Sequence, residues 1–266
     1  MERTQRRNQS LETIKNGNYT ADFRVTFTNP VRARSLENRY AAQLRRVAKQ
    51  IGMLIEGWSG EVQDLPVLRS QLQRYADVLT PWAKATVGRI GAELVIKERQ
   101  GWAAHARLMG RQMRYELENA PTGVALQTFM NRQVELIRSL PIEAGDRVHG
   151  LVLESMIEGT RARELAKEVM ATEQVTRSRA NLIARTEIST ASTNLTRARA
   201  QSIGSEQAIW RTSRDSMVRK SHREMEGRVF RWDEPPHLSD GTVCLPGCIY
   251  NCRCWAEPII PGLGLS

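Results

Sequence analysis

No cysteine occurs before position 244, and all four fall between Cys244 and Cys254. Disulfides therefore do not tie distant parts of the chain together. The states open to this cluster are metal ligation, reduced thiols or one local disulfide. No run approaches the roughly 18 apolar residues that a membrane-spanning helix needs. Residues 1–20 are basic but lack the apolar stretch of a secretory signal. Together these absences point to a reducing cytoplasm. The sequence also has no G-x-x-x-x-G-K-[ST] phosphate loop, no dinucleotide glycine pattern, no G-x-S-x-G elbow and no H-E-x-x-H helix. Missing all of these, it reads as a structural protein rather than an enzyme.

Acidic residues are in deficit: 29 Asp and Glu face 39 Lys and Arg, a net charge of +10 over 266 residues. The excess is uneven, with eleven Lys/Arg against four acids in residues 1–50 and twelve against five in 177–231. Such a field favours polyanions or an acidic protein partner and says nothing about fold.

The period of the apolar residues divides the chain. Residues 1–34 are polar and basic, with one loose alternation from Tyr19 to Phe27, and read as a flexible arm that orders on docking. From Ser35 the period is 3.6: Leu36, Tyr40, Leu44, Val47, Ile51 and Leu54 share one helix face, with Ser35 as N-cap and Gly57 as stop. Leu68, Leu72, Tyr75 and Leu79 predict a second helix ended by Thr80-Pro81. A third starts at Trp82. Trp102, Met109, Met113 and Leu117 continue the register until Ala120-Pro121-Thr122-Gly123. Phe129, Ile137 and Leu140 predict a helix closed by Pro141, so 35–145 forms a helical region.

Further helices are expected over about 147–158, over 161–170 capped by Thr160, and over 176–203 stopped by Gly204. Gln207–Thr212, Gly227–Trp232 and Trp255–Ile260 read as short strands. The fold class is mainly α, with a small α+β C-terminal unit bearing a short antiparallel sheet and a Cys-rich loop.

Three constellations carry chemistry. Cys244, Cys248, Cys252 and Cys254, with His222, form a candidate zinc set, since thiolates and imidazole are the preferred ligands of structural zinc. Their spacing is not the paired C-x2-C of a zinc ribbon. Asp215 and His222 flank a basic stretch, which would suit a divalent-metal nuclease; otherwise Asp215 caps a short helix and His222 makes a structural hydrogen bond. Arg185 and Glu187, two apart on a helix, face different sides and need separate partners.

In order, Arg185-Thr186-Glu187, then Asp215, Arg219, His222 and Gly227, then Pro246-Gly247 and Asn251-Cys252-Arg253-Cys254 make a string. It resembles the signature of the phage head morphogenesis family typified by the F protein of phage Mu. The resemblance covers roughly 147–258, within a domain expected at 146–266. It implies a minor head protein of the virion, assembled in the host cytoplasm. Its implied partners are the portal protein and the major capsid or scaffold protein, with packaged DNA a further candidate and no membrane, and it implies copies arranged around the portal. No catalytic or cofactor role is carried over with it, and the packaging ATPase is excluded. The rival readings are a metal-dependent phage nuclease using Asp215 and His222, and a DNA-binding protein outside the virion.

Overall fold

Apolar side chains repeat every third or fourth residue through most of the chain, and each such stripe becomes a helix with that stripe buried. The computed structural model describes residues 33–106, 109–159 and 162–260. The N-terminal arm up to residue 32, with its alternation from Tyr19 to Phe27, and the Thr160 cap lie outside these residues. The helices are α1 (Arg34–Glu56), α2 (Leu65–Ala106), α3 (Arg111–Glu118), α4 (Thr122–Glu158), α5 (Ala162–Met170) and α6 (Thr172–Ser202). A short 3-10 turn, Val62–Asp64, precedes α2. Then follow β1 (Gln207–Arg211), the one-turn helix α7 (Lys220–Arg223), β2 (Val229–Arg231) and β3 (Trp255–Ile259).

Four long helices form a bundle with alternating direction. Gly145 of α4 lies against Leu72 of α2, and Gly91 of α2 against Leu126 of α4, so these two run antiparallel. Arg45 bonds Asn181 at 2.8 Å while Gly52 abuts Glu173, so α1 and α6 are antiparallel too. Arg179 reaches Glu143 and Gln133 reaches Glu187, which sets α6 against α4. Leu36, Leu44, Ile51, Leu68, Leu72, Leu94, Ile137 and Leu140 are essentially inaccessible and form the shared core. Burying each contributes about 1.5–3 kcal/mol.

Two prolines expected to end helices lie inside them. Pro81 sits within α2 and Pro141 within α4. Proline removes one backbone bond and crowds the carbonyl four residues earlier. At Pro81 both the ring and Asp77, whose carbonyl loses its donor, are exposed, so water compensates. The apolar stripe runs on through Ala83, Val87, Ile90 and Leu94, which holds the helix together. Pro141 is itself buried in the α4 stripe between Leu140 and Ala144. Ser35 is not the N-cap of α1 but stands within its first turn, after Ala33. Gly159 does stop α4, as its left-handed C-cap with φ +68°.

The three strands form one antiparallel sheet in the order β2-β1-β3, with Ala208 opposite Phe230 and Pro258. All three fall on the segments read as short strands from the sequence. A second core under this sheet joins Trp210, Phe230, Trp232, Leu238, Leu245 and Ala256 to Trp102 of α2 and Leu117 of α3. The C-terminal unit is thus seated on one end of the bundle. No helix among the described residues is long and apolar enough to cross a membrane.

Candidate functional site

The site is built where α6, α7 and the start of β3 converge. Gly247 initiates it. Its φ of +85° suits glycine, and a Cβ there would stand 2.8 Å from the Ser189 and Thr193 hydroxyls. The Pro246-Gly247 turn can therefore lie directly on α6, where the Thr193 hydroxyl donates to the Pro246 carbonyl at 2.7 Å. Asn251, also left-handed at φ 55°, turns the chain a second time. Its backbone N–H donates to the Thr186 hydroxyl at 3.3 Å, and its side-chain carbonyl accepts from Arg185 at 3.1 Å. These two turns aim Cys252 and Cys254 inward.

His222 completes the group from α7. Its Nδ1 lies 3.4 Å from Cys252 Sγ and 3.5 Å from Cys254 Sγ. All three residues are buried, and their donor atoms lie within 4.8 Å of one another. The backbone N–H groups of Gly247 and Cys254 both donate to Cys252 Sγ at 3.4 Å. A hydrogen bond from the Cys254 thiol, opposed by burial, is the largest influence holding Cys252 below the usual thiol range. The same bond pushes Cys254 up. The His222 ring meets the Trp210 indole edge to face at 5.5 Å.

Of the five expected ligands, the structure brings together His222, Cys252 and Cys254 but leaves Cys244 and Cys248 outside that trio. The Gly247 turn is the reason: it carries Cys248 against the Thr190 and Thr193 hydroxyls of α6. Burial pushes Cys248 up to about 12 and the half-buried Cys244 up to about 11. Cys244 remains close enough to Cys252 for their charges to interact.

The other signature residues hold this arrangement in place. Arg219 donates to the Tyr250 carbonyl at 2.7 Å. Asp215 accepts from Arg253 at 2.6 Å and from the Met217 N–H at 2.9 Å. That makes it a turn residue rather than the cap of α7, which follows Arg219. Asp215 is not a member of the His–Cys group, so the structure does not join it to His222 as one metal set. Gly227, at φ +81°, donates to the Trp210 carbonyl at 2.8 Å and opens β2. Glu187 points the other way from Arg185, into the bundle, where Gln133 and Arg132 donate to it at 2.9 Å. Tyr40 in turn donates to Gln133 at 3.0 Å.

Beside the cysteines lies a cleft of about 380 Å³ between the start of α1, α6 and β3. Arg34, Arg185 and Arg253 line it, with Ser189 and Ser192 on the α6 wall. Burial pushes the Glu37 carboxyl in this cleft up, against the pull of Arg185, Arg34 and Arg253. Sequence reading missed this cleft. The hydroxyl-bearing face of α6 (Ser189, Ser192, Thr193, Thr196) was its available signal.

No solved structure matches this chain. It is 33% identical over 127 residues to an uncharacterized protein of Haemophilus influenzae, a stretch covering 48% of this chain. The chain spans 28% of the length of that relative. Residues 146–257, which carry the two turns, the His–Cys group and the whole ordered string of signature residues, match the family described as Phage Mu protein F like protein.

Proposed function

We propose that this chain is a minor head protein that acts in phage head morphogenesis by docking rather than by turnover. The observation that carries this reading is the family match over residues 146–257. The residues shared with that signature support it, because most of them hold the Cys-rich loop, α6 and the sheet together through hydrogen bonds. Asp215 spends its carboxylate on Arg253 and a backbone N–H, and His222 is 2% exposed, which disfavours a nuclease built on this pair.

The docking partner in this reading is the portal protein, with the major capsid or scaffold protein as neighbours in the procapsid. Two opposite ends of the molecule suit two kinds of contact. At the end away from the sheet, Leu153, Met156 and Ile157 of α4 are exposed, as are Met53, Met170 and Val175. Apolar groups gathered in this way favour a protein partner. At the sheet end, the arginines around the cleft suit a carboxylate or a DNA phosphate. The protein would then reside in the virion head after assembly in the host cytoplasm.

Co-expression with the portal protein of the same gene cluster, followed by size-exclusion and mass measurement, tests the reading. A complex of fixed stoichiometry is expected. A folded chain that elutes alone, beside an intact portal ring, overturns portal docking. In that case salt-dependent DNA binding and absence from purified particles would favour a DNA-binding protein outside the virion.

A further inference from the structure

We propose that His222 Nδ1, Cys252 Sγ and Cys254 Sγ are three ligands of a structural zinc ion, and that the Cys244 thiol closes the tetrahedron. The distances carry the argument. With Zn–S near 2.3 Å and Zn–N near 2.0–2.1 Å, tetrahedral angles place an imidazole nitrogen about 3.6 Å from each thiolate sulfur. His222 Nδ1 stands 3.4 and 3.5 Å from the two sulfurs. All three donors lie within 4.8 Å of one another, and both nitrogen–sulfur distances are within a few tenths of an ångström of the tetrahedral value.

The surroundings fit a ligated cluster better than a set of packed thiols. Two backbone N–H groups converge on Cys252 Sγ, an arrangement that favours a charged sulfur over a neutral one. Cys252 is 3% exposed and Cys254 5%. Burying a charged sulfur there is costly without a countercharge, and a divalent cation supplies one. His222 Nε2 is buried without a protein hydrogen bond. That atom tolerates a neutral N–H more readily than one end of a charged imidazolium, so Nδ1 is left free to ligate.

Cys244 is the fourth ligand for two reasons. It is half-exposed in a loop bounded by Gly241 and Gly247, both at positive φ, so it can close over an arriving ion. Cys248, the other choice, is committed to the threonines of α6. The ion would clip α7 to β3 in a unit whose strands are only three to five residues long. Small units of this kind commonly need such a staple.

The inference does not depend on the head-assembly reading and is tested apart from it. The full chain is purified with a phosphine reductant and no chelator, and its zinc is measured by elemental analysis beside a thiol count. About one equivalent of zinc per chain is expected, with the thiols of Cys244, Cys252 and Cys254 protected until a mercurial releases the metal. Cobalt exchanged into the site should show the intense visible bands of a tetrahedral ion and a thiolate charge-transfer band in the near ultraviolet. In Cys244→Ser the metal should bind at least about tenfold more weakly, while Cys248→Ser should keep it unchanged. Metal-free wild-type protein that is folded, counts four free thiols and gives no cobalt–thiolate band overturns the proposal. Cys248→Ser losing metal while Cys244→Ser keeps it overturns the assignment of the fourth ligand. Wild-type metal content decides the first point even if a variant fails to fold.

Discussion

One buried acid shows how much depends on a single partner. Glu98 is wholly buried and pairs with Arg199, which also donates to the Leu117 carbonyl at 2.6 Å. Burial pushes the Glu98 carboxyl up against the pull of Arg199. Removing one member of such a pair strands the other charge at a cost of about 3–5 kcal/mol. Glu98→Ala should therefore lower stability by about that amount, and Glu98→Gln by less, since it keeps a hydrogen-bond acceptor. Urea denaturation of both variants checks this, and equal losses would count against the pairing. Gly247→Ala should be as damaging at the site as it is invisible to the bundle. It should loosen the Cys-rich loop, read as faster amide exchange at Cys252 and Cys254, while α1 and α2 exchange as before. The sequence announced Gly247, Arg185 and Glu187 by their order in the signature, though not what they do, and it gave no sign of Glu98 or Arg199. Arg185 and Glu187 were expected to need separate partners, and the partners proved to be Asn251 in the loop and Gln133 in the bundle. Only the fold brings residues 54 and 66 positions apart together.

Among the elements, the strands and the helix stops at Gly57 and Gly159 were readable, and the ends placed at prolines were not. The three short strands were read between segments rich in Pro, Gly, Asp and Cys, and β1 and β3 bury three successive residues each, whereas prolines suggested boundaries at 81 and 141 that packing overrode. Pro81 lies on the solvent side of α2, so Pro81→Ala should stabilise the protein. Helix propensity argues for a gain of up to about 3 kcal/mol, and the freer unfolded chain takes back about 0.4–1 kcal/mol. A rise in melting temperature with an unchanged denaturant slope is the expected result. The turn after β1 responds to acid. Burial pushes the Glu226 carboxyl up, but the Thr212 hydroxyl and N–H, at 2.7 and 2.6 Å, and Arg214 hold it below the usual range overall. A carboxyl lowered in the folded state contributes stability above its unfolded value and loses it as pH falls through the folded one. Glu226→Gln should therefore flatten the acid limb of the stability profile below about pH 4.5, with little change in slope near neutrality. A titration of melting temperature in both proteins measures it.

At the scale of the whole molecule, exposed apolar side chains occur at both ends, Met156 and Ile157 at the far one and Met217 and Tyr250 at the sheet end. Met156 and Ile157 are 64% and 85% exposed, so Met156→Glu with Ile157→Glu should leave melting unchanged. The same double substitution should weaken portal co-elution by at least about tenfold if this end docks, since two apolar anchors in an interface centre outweigh its rim. Unchanged co-elution would move the docking surface elsewhere. The grouping of Met53, Met156 and Met170 at one end was not legible in the chain, where they lie far apart in sequence. It arises from which helix ends the bundle brings together.

Helix α4 runs unbroken from Thr122 to Glu158, and the stretch matched by the family begins inside it, at residue 146. Val148 and Val152 fall on the matched side, yet they share a core with Leu68 and Leu72 from before it. A gene rearrangement joining foreign sequence at that point would bisect a helix and strip the cover from its apolar stripe. Exchange of this module between genes should therefore succeed at the break near Asn119 and Ala120, or where an incoming helix brings a matching stripe of its own. Inheritance of the unmatched half is then constrained by shape rather than by sequence.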